Sequence, residues 1–187
     1  MIKIGEKIPN LSFDIFQNGD IKTVNFKNFK NRWLILFFYP ADFTFVCPTE
    51  LEGLADSYKF FKEAGAEVIS VSRDTPFVHK AWHESDKAIE KIEYPMAADP
   101  KGEICRTFGT FEEEDGLSLR ATYIIDPEGI VKSFEMNDNS IGRNIAETLR
   151  KLKAAIFTSK NDGKVCPLNW SPEKEALSLP SLSIFKK

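Results

Sequence analysis

The chain has 187 residues, 42% of them hydrophobic and 28% charged, with a net charge of −3. That length and balance fit one soluble domain with a substantial core. Acids and bases are interspersed without the basic stripe of a nucleic-acid binder, and no apolar run approaches the roughly 20 residues of a membrane span. The opening stretch MIKIGEKIPNLSFD has a lysine but no apolar run behind it, so no signal peptide is expected there. The three cysteines, Cys47, Cys105 and Cys166, are odd in number and far apart. They argue against a disulfide scaffold and for a reducing, cytoplasmic setting, where any disulfide is transient.

Residues 11–26 read as two short strands around the turn signal Asn18-Gly19. RWLILFFY (32–39) is a continuous apolar run ended by Pro40, the pattern of a central strand buried on both faces. After the loop 40–46, Cys47, Leu51, Leu54, Tyr58 and Phe61 recur at helical spacing, giving a helix that ends near Gly65. AEVISVS (66–72) is the next buried strand, and Thr75 to about Glu90 reads as helix. DPKGEICRTFG (99–109) is a short helix with Pro100 in its first turn and Gly109 just past its end. Residues 117–126 alternate as a strand, DPEG (126–129) turns, and 130–136 returns as its hairpin partner. GRNIAETLRKLKAAIF (142–157) is an amphipathic helix opened by Arg143. The expected architecture is α/β, with a mixed central sheet and flanking helices over residues 1–157. Residues 158–187 read as an extension that carries Cys166.

Cys47 falls just past the carboxyl end of a central strand, where open α/β sheets place their ligand sites. It also occupies the first turn of a helix, where free N–H groups and the dipole favour a thiolate. The thiolate is the nucleophile, and an ordinary thiol with a pKa of about 8.5 supplies little of it at neutral pH. Thr44, three residues earlier, can aim its hydroxyl at whatever the sulfur attacks. Pro40, Phe43, Phe45 and Val46 are expected to exclude water from the sulfur. Glu50 lies on the same side of the helix and opposes a thiolate unless a cation pairs with it. Two arginines are available. Arg120 sits on the face of its strand opposite Leu117, Leu119, Ala121, Tyr123 and Ile125, where a guanidinium is costly unless it meets an anion. The residues thus suggest that Arg120 faces the sulfur, held there by Glu50 with Arg143. The plainer alternative is a small buried cysteine on an apolar helix face.

PADFTFVC (40–47) matches the Pro-x-x-x-Thr-x-x-Cys signature of the peroxiredoxins. The longer FYPADFTFVCPTE (38–50) resembles the typical 2-Cys group that includes the alkyl hydroperoxide reductase C type. The resemblance continues in order through AEVISVSRDTPFVHKAWH (66–83), YPMAADPKGEICRTFG (94–109), LSLRATYIIDPEG (117–129), GRNIAETLR (142–150) and GKVCP (163–167). It implies a thioredoxin-like fold with added elements and reduction of hydroperoxides by a peroxidatic cysteine, Cys47. Pro40, Thr44 and Arg120 would shape its pocket, with Glu50 and Arg143 in support. Cys166 corresponds to the resolving cysteine, which in this group pairs with the peroxidatic cysteine of the other subunit. A homodimer is therefore implied, often built into a ring of five dimers. So is a dithiol reductant, either a thioredoxin or a flavoprotein disulfide reductase. Neither cofactor nor metal is required. The chain has no GGLG and no YF pair, the marks of peroxide-sensitive members, and so resembles the overoxidation-resistant type.

Two other functions fit parts of the sequence. A thiol–disulfide oxidoreductase would use Cys47 on proteins, but CPTE lacks the second cysteine of a CxxC. A ring-forming holdase would use its cysteines only to lock subunits. Elsewhere, Cys105 beside Ile104 and Phe108 reads as a core residue. His79 and His83 lack a third metal ligand and read as helix surface, with Trp82 between them in the core or an interface. The tail residues Leu177, Leu179, Leu182, Ile184 and Phe185 expose enough apolar surface to dock on a neighbouring subunit.

Overall fold

The structure is a computed structural model and describes residues 1–179. The expected docking residues Leu182, Ile184 and Phe185 lie outside these. The described chain forms two units, Met1–Ile145 and a second beginning at Ala146.

In the first unit, β1 (Ser12–Gln17) and β2 (Asp20–Asn25) pair antiparallel. The turn between them places Asn18 and Gly19 at φ 51° and 84°, the two positive angles that a tight hairpin turn requires. The apolar run becomes β3 (Trp33–Phe38), buried at every position. It lies parallel to β4 (Ala66–Ser72), which is buried along its whole length too. Beyond β4 comes β5 (Met96–Ala98), parallel to β4 and antiparallel to β1. On the other side of β3, β6 (Arg120–Ile125) and β7 (Val131–Asn137) run antiparallel. The result is one mixed sheet in the order β2-β1-β5-β4-β3-β6-β7. The short β5 carries no periodic signal in the sequence.

Helix α1 (Cys47–Glu63) follows β3 and stops at Gly65, whose φ of 78° and N–H to Lys62 O close its end. Helix α2 (Pro76–Ser85) is shorter than the sequence pattern suggests, because Asp86 is extended and its carboxylate takes up the Ala88 N–H. Helix α3 spans Glu103–Phe108. Pro100 is not in its first turn: Gly102, at φ 71°, breaks the helix and leaves 99–102 as a separate turn. One face of the sheet, with Leu34, Leu36, Phe38, Ala121, Tyr123 and Ile125, packs with Ile104 and Phe108 of α3 in a single core cluster. By the alternation of strands, Phe37, Arg120 and Thr122 face the other way. Helix α4 (Ile145–Lys160) begins after Arg143 rather than at it.

In the second unit, Trp170 is buried and its ring lies 4.8 Å from that of Phe157. Arg150 is pinned by Glu147 and by Trp170 O. A two-stranded pair, β8 (Lys164–Val165) and β9 (Leu177–Ser178), completes it. Among the described residues no helix is long and apolar enough to cross a membrane.

The loop between β3 and α1 is fixed by a buried polar network. Asp42 accepts from Tyr39 Oη at 2.6 Å, and its other carboxylate oxygen lies 2.7 Å from His79 Nδ1. His79 Nε2 meets Ala97 O of β5 at 3.2 Å, and Asp42 N–H donates to Asp74 past the end of β4. His79 is therefore not a surface residue of α2. It shares the buried face with Pro76 and Trp82, three residues apart each time. Burial pushes the Asp42 carboxyl upward, against the opposing hydrogen bond and charge of His79. His79→Ala strands a buried carboxylate, so it should lower stability by about 3–5 kcal/mol. Urea denaturation at neutral pH checks this; a loss near the ~1 kcal/mol of an average substitution would contradict it.

Candidate active site

Cys47 is the first residue of α1 and is fully buried. The helix start itself gives it less than the sequence suggests. Pro48 has no N–H, and the N–H groups of Thr49 and Glu50 both point at Val46 O, at 3.1 and 3.3 Å. The positive group near the sulfur is instead Arg120, whose Nη1 lies 3.4 Å from Sγ. The guanidinium is held from two further directions, with Nε donating to Asn139 O at 2.9 Å and Nη1 to Glu50 Oε2 at 2.8 Å.

Glu50 is one turn along α1 and equally hidden. Arg143 grips it with three donors: backbone N–H and Nε to Oε1 at 2.7 and 2.9 Å, and Nη2 to Oε2 at 2.9 Å. The remaining Arg143 nitrogen donates to Ala121 O at 2.7 Å and approaches Thr122 Oγ1 at 3.3 Å. Its guanidinium carbon sits 3.4 Å from the centre of the Phe37 ring, a cation–π contact in a desolvated place. Helix α4 starts two residues later, at Ile145. Burial works to raise the Glu50 carboxyl, but hydrogen bonds and charge from Arg143, then charge from Arg120, hold it below the usual carboxylate range. In this directly bonded cluster Arg120 and Arg143 share the Glu50 carboxylate, which places the Arg120 guanidinium beside the sulfur.

The other expected site residues divide. Pro40 is buried at the end of β3. Thr44 is half-buried, and its hydroxyl is not free to point anywhere: it donates to Ala41 O at 2.9 Å, which leaves its oxygen lone pairs open. The expected apolar cover is only partly present. Val46 is half-buried, but Phe43 and Phe45 are 59% and 96% exposed. The left-handed φ of 54° at Phe43 turns the loop at that point. Cys105 is a core residue, pushed up to about 12 by burial and by Asp99. Cys166 belongs to the second unit, half-buried, with Sγ 3.8 Å from Ala154 O, and burial raises its thiol against the pull of Arg150. Sequence reasoning missed Asn139, which acts through a backbone carbonyl that no side-chain type announces, and Phe37, whose stacking role is hidden inside an apolar run.

The model of the AhpC/TSA family matches residues 4–134. The chain belongs to the AhpC/TSA family. Across this family it is similar over its full length to alkyl hydroperoxide reductase C of Salmonella typhimurium, 46% identical over 187 residues and the whole of both chains. The enzyme of the same name from Bacillus subtilis is 45% identical with the same coverage. Among solved structures, Enterococcus faecalis AhpC superposes with a TM-score of 0.87 at 45% identity, over 89% of this chain and 100% of that one. A reduced 2-Cys peroxiredoxin of Plasmodium vivax gives 0.87 at 32% identity, over 92% and 91%. The fold is thus thioredoxin-like in the peroxiredoxin manner, a mixed sheet of seven strands with flanking helices.

The Glu50 ion pairs have a pH signature. A carboxyl lowered on folding adds stability that is complete above the ordinary carboxylate range, near pH 4.3 for an unfolded glutamate or about that. It is lost as pH falls through the lowered folded value. Glu50→Gln should cost about 3–5 kcal/mol at pH 7, since it strands Arg143. The gap to the native chain should narrow as urea midpoints are taken down toward pH 3 or so. A gap that is constant across this range would mean that Glu50 is not held ionised by the arginines.

Proposed function

We propose that Cys47 is the sulfur through which this family member reduces hydroperoxides, and that Arg120 is the group that readies it. Membership of the peroxiredoxins makes the chain a thiol-dependent peroxidase. The observation that carries the assignment to Cys47 is the buried Sγ at 3.4 Å from a guanidinium that Glu50 only partly neutralises. A thiolate there would pair with the Arg120 guanidinium, and a thiolate is the reactive species.

The Cys47 thiolate attacks the terminal oxygen of R–O–O–H, an S–O bond forms, and the O–O bond breaks with its electron pair leaving on RO⁻, which takes up a proton. Arg120 Nη2, which has no partner among the described residues, is free to donate to the developing negative oxygen. Thr44, its hydroxyl hydrogen directed at Ala41 O, offers lone pairs to the hydrogen of the attacked oxygen. Pro40 closes the pocket from the β3 side. Cys47 becomes a sulfenic acid. The Cys166 thiol of a second subunit condenses with it, releasing water and forming a disulfide. An external dithiol, a thioredoxin or a flavoprotein disulfide reductase, then restores both thiols by exchange. A homodimer is the minimal working unit in this reading, five of which would close a ring, and the cytoplasm is its setting. No cofactor or metal takes part.

Stopped-flow mixing with hydrogen peroxide tests the assignment. Cys47→Ser should abolish the fast thiol loss, and Arg120→Met should slow it by at least about a hundredfold, the scale of removing one oxyanion donor. On non-reducing gels after peroxide, the native chain should run as a disulfide-linked dimer, and Cys166→Ser should remain monomeric. Arg120→Met reacting at the native rate, or a Cys47→Ser protein that still crosslinks through Cys166, would overturn the reading.

A further inference from the structure

Closing a disulfide brings two sulfurs to about 2.05 Å, and Cys47 Sγ starts fully buried in the first turn of α1. On the reading above, the helix start has to unwind before the resolving thiol can arrive, and how far it unwinds is a property of what holds the helix.

The second turn of α1 is held from outside. Tyr94, in the segment leading into β5, is 1% exposed and its hydroxyl donates to Leu51 O at 2.9 Å. Leu51 O is an interior helix carbonyl whose helical donor is the amide of Ala55, so the phenol adds a second, buried hydrogen bond to it. The Tyr94 ring meets Tyr58 edge-on at 5.7 Å, and Tyr58 Oη is fixed at 2.6 Å to Glu67 of β4. Three residues before Tyr94, Lys91 pairs with Glu52 and lies 3.9 Å from Asp56. Residues 91–94 thus touch Leu51, Glu52, Asp56 and Tyr58, on the second and third turns. The same stretch of helix contains Gly53, the least helix-favouring residue apart from proline. With a weak point next to it, this part of the helix depends on the external clasp to stay wound.

We propose that the unwinding of α1 that frees Cys47 reaches Leu51, and that Tyr94 is a latch that resists it and so sets how the Cys47 sulfenic acid divides between two fates. This rests on the peroxidase reading above. In one fate the S–OH condenses with the resolving thiol, giving the disulfide and water. In the other, a second hydroperoxide delivers one oxygen, giving the sulfinic acid and an alcohol or water. The first needs the unwound helix and the second does not. Unwinding past Leu51 breaks the Tyr94 bond and leaves a buried phenol without a partner, so the latch slows the first fate relative to the second. Tyr94 touches neither the sulfur nor any atom of the peroxide, so it is a positioning residue.

Tyr94→Phe removes the hydroxyl and keeps the ring. At a series of peroxide concentrations, its ratio of disulfide to sulfinic acid, read by mass spectrometry of the intact protein, should rise roughly threefold to tenfold, the factor for one lost hydrogen bond. The rate of the first reaction of peroxide with Cys47 should stay native. A merely structural role would lower the unfolding midpoint without moving this ratio at constant peroxide reactivity. Hydrogen exchange of the reduced protein is the second readout, and the amides of residues 51–55 should exchange faster in Tyr94→Phe. A ratio within twofold of native, with native peroxide reactivity, would overturn the latch, as would unchanged exchange at 51–55. The exchange arm uses no peroxide, so it judges the latch even where the peroxidase reading has failed, and absent thiol loss in the native chain marks that other failure.

Discussion

Everything in the first unit that bears on chemistry depends on the contact between Glu50 and Arg143. A carboxylate one turn from a reactive sulfur is ordinarily an obstacle to ionising it. Here four N–H groups converge on that carboxylate, three from Arg143 and one from Arg120. This turns the obstacle into a fixture that points Arg120 at Sγ. Without Glu50, Arg120 would keep only the Asn139 carbonyl and the sulfur, and a flexible guanidinium would have little reason to stay in one rotamer. Arg143 is itself lowered by burial and raised by Glu50 and Glu135. Its charge survives in a dry place because each guanidinium nitrogen has an acceptor and Phe37 supplies a π face. Lysine could not take this role, since the grip is bidentate and the ring contact is planar.

The sheet explains how residues so far apart in the chain meet. Antiparallel pairing sets Phe37 of β3 opposite Thr122 of β6, so Arg120, Thr122 and the ring under Arg143 share one face. The loop after β3 returns Cys47 and Glu50 to that face. That loop is pinned mainly by Tyr39, Asp42, His79 and Asp74; Phe43 rests on Trp82, and Phe45 points outward. A rigid entry and the opening of the first turn that the proposed disulfide would require are opposing demands. The structure separates them along the chain: a buried polar network holds the residues before the sulfur, and side chains from 91–94 hold the turns after it.

Most of the scaffold was readable from the chain. The continuous apolar strands, the Asn18-Gly19 turn and the alternating strand with its lone arginine have strong local causes, and the structure has them where the sequence put them. The convergence of Cys47, Glu50, Arg120 and Arg143 was also inferable, because an unpaired carboxylate and two unpaired arginines each required a partner. What escaped was determined by tertiary contact. β5 is three residues defined only by its neighbours, Pro100 was displaced by a left-handed glycine, and α4 begins at Ile145, after Arg143. His79 was misread although the spacing His79, Trp82 marks one buried face. Thr44 kept its predicted place but its hydroxyl hydrogen was already taken by a backbone carbonyl.

The central claim is that the Arg120 guanidinium, held at the sulfur by Glu50, is what makes the buried Cys47 reactive. The most direct measurement is the rate of alkylation of Cys47 by iodoacetamide at neutral pH, in a chain whose Cys105 and Cys166 are replaced by serine. The account predicts a rate well above that of free cysteine, and a clear fall when Arg120, 3.4 Å from Sγ, is replaced by methionine. A rate no higher than that of free cysteine, or one that does not change when Arg120 is replaced, would contradict it.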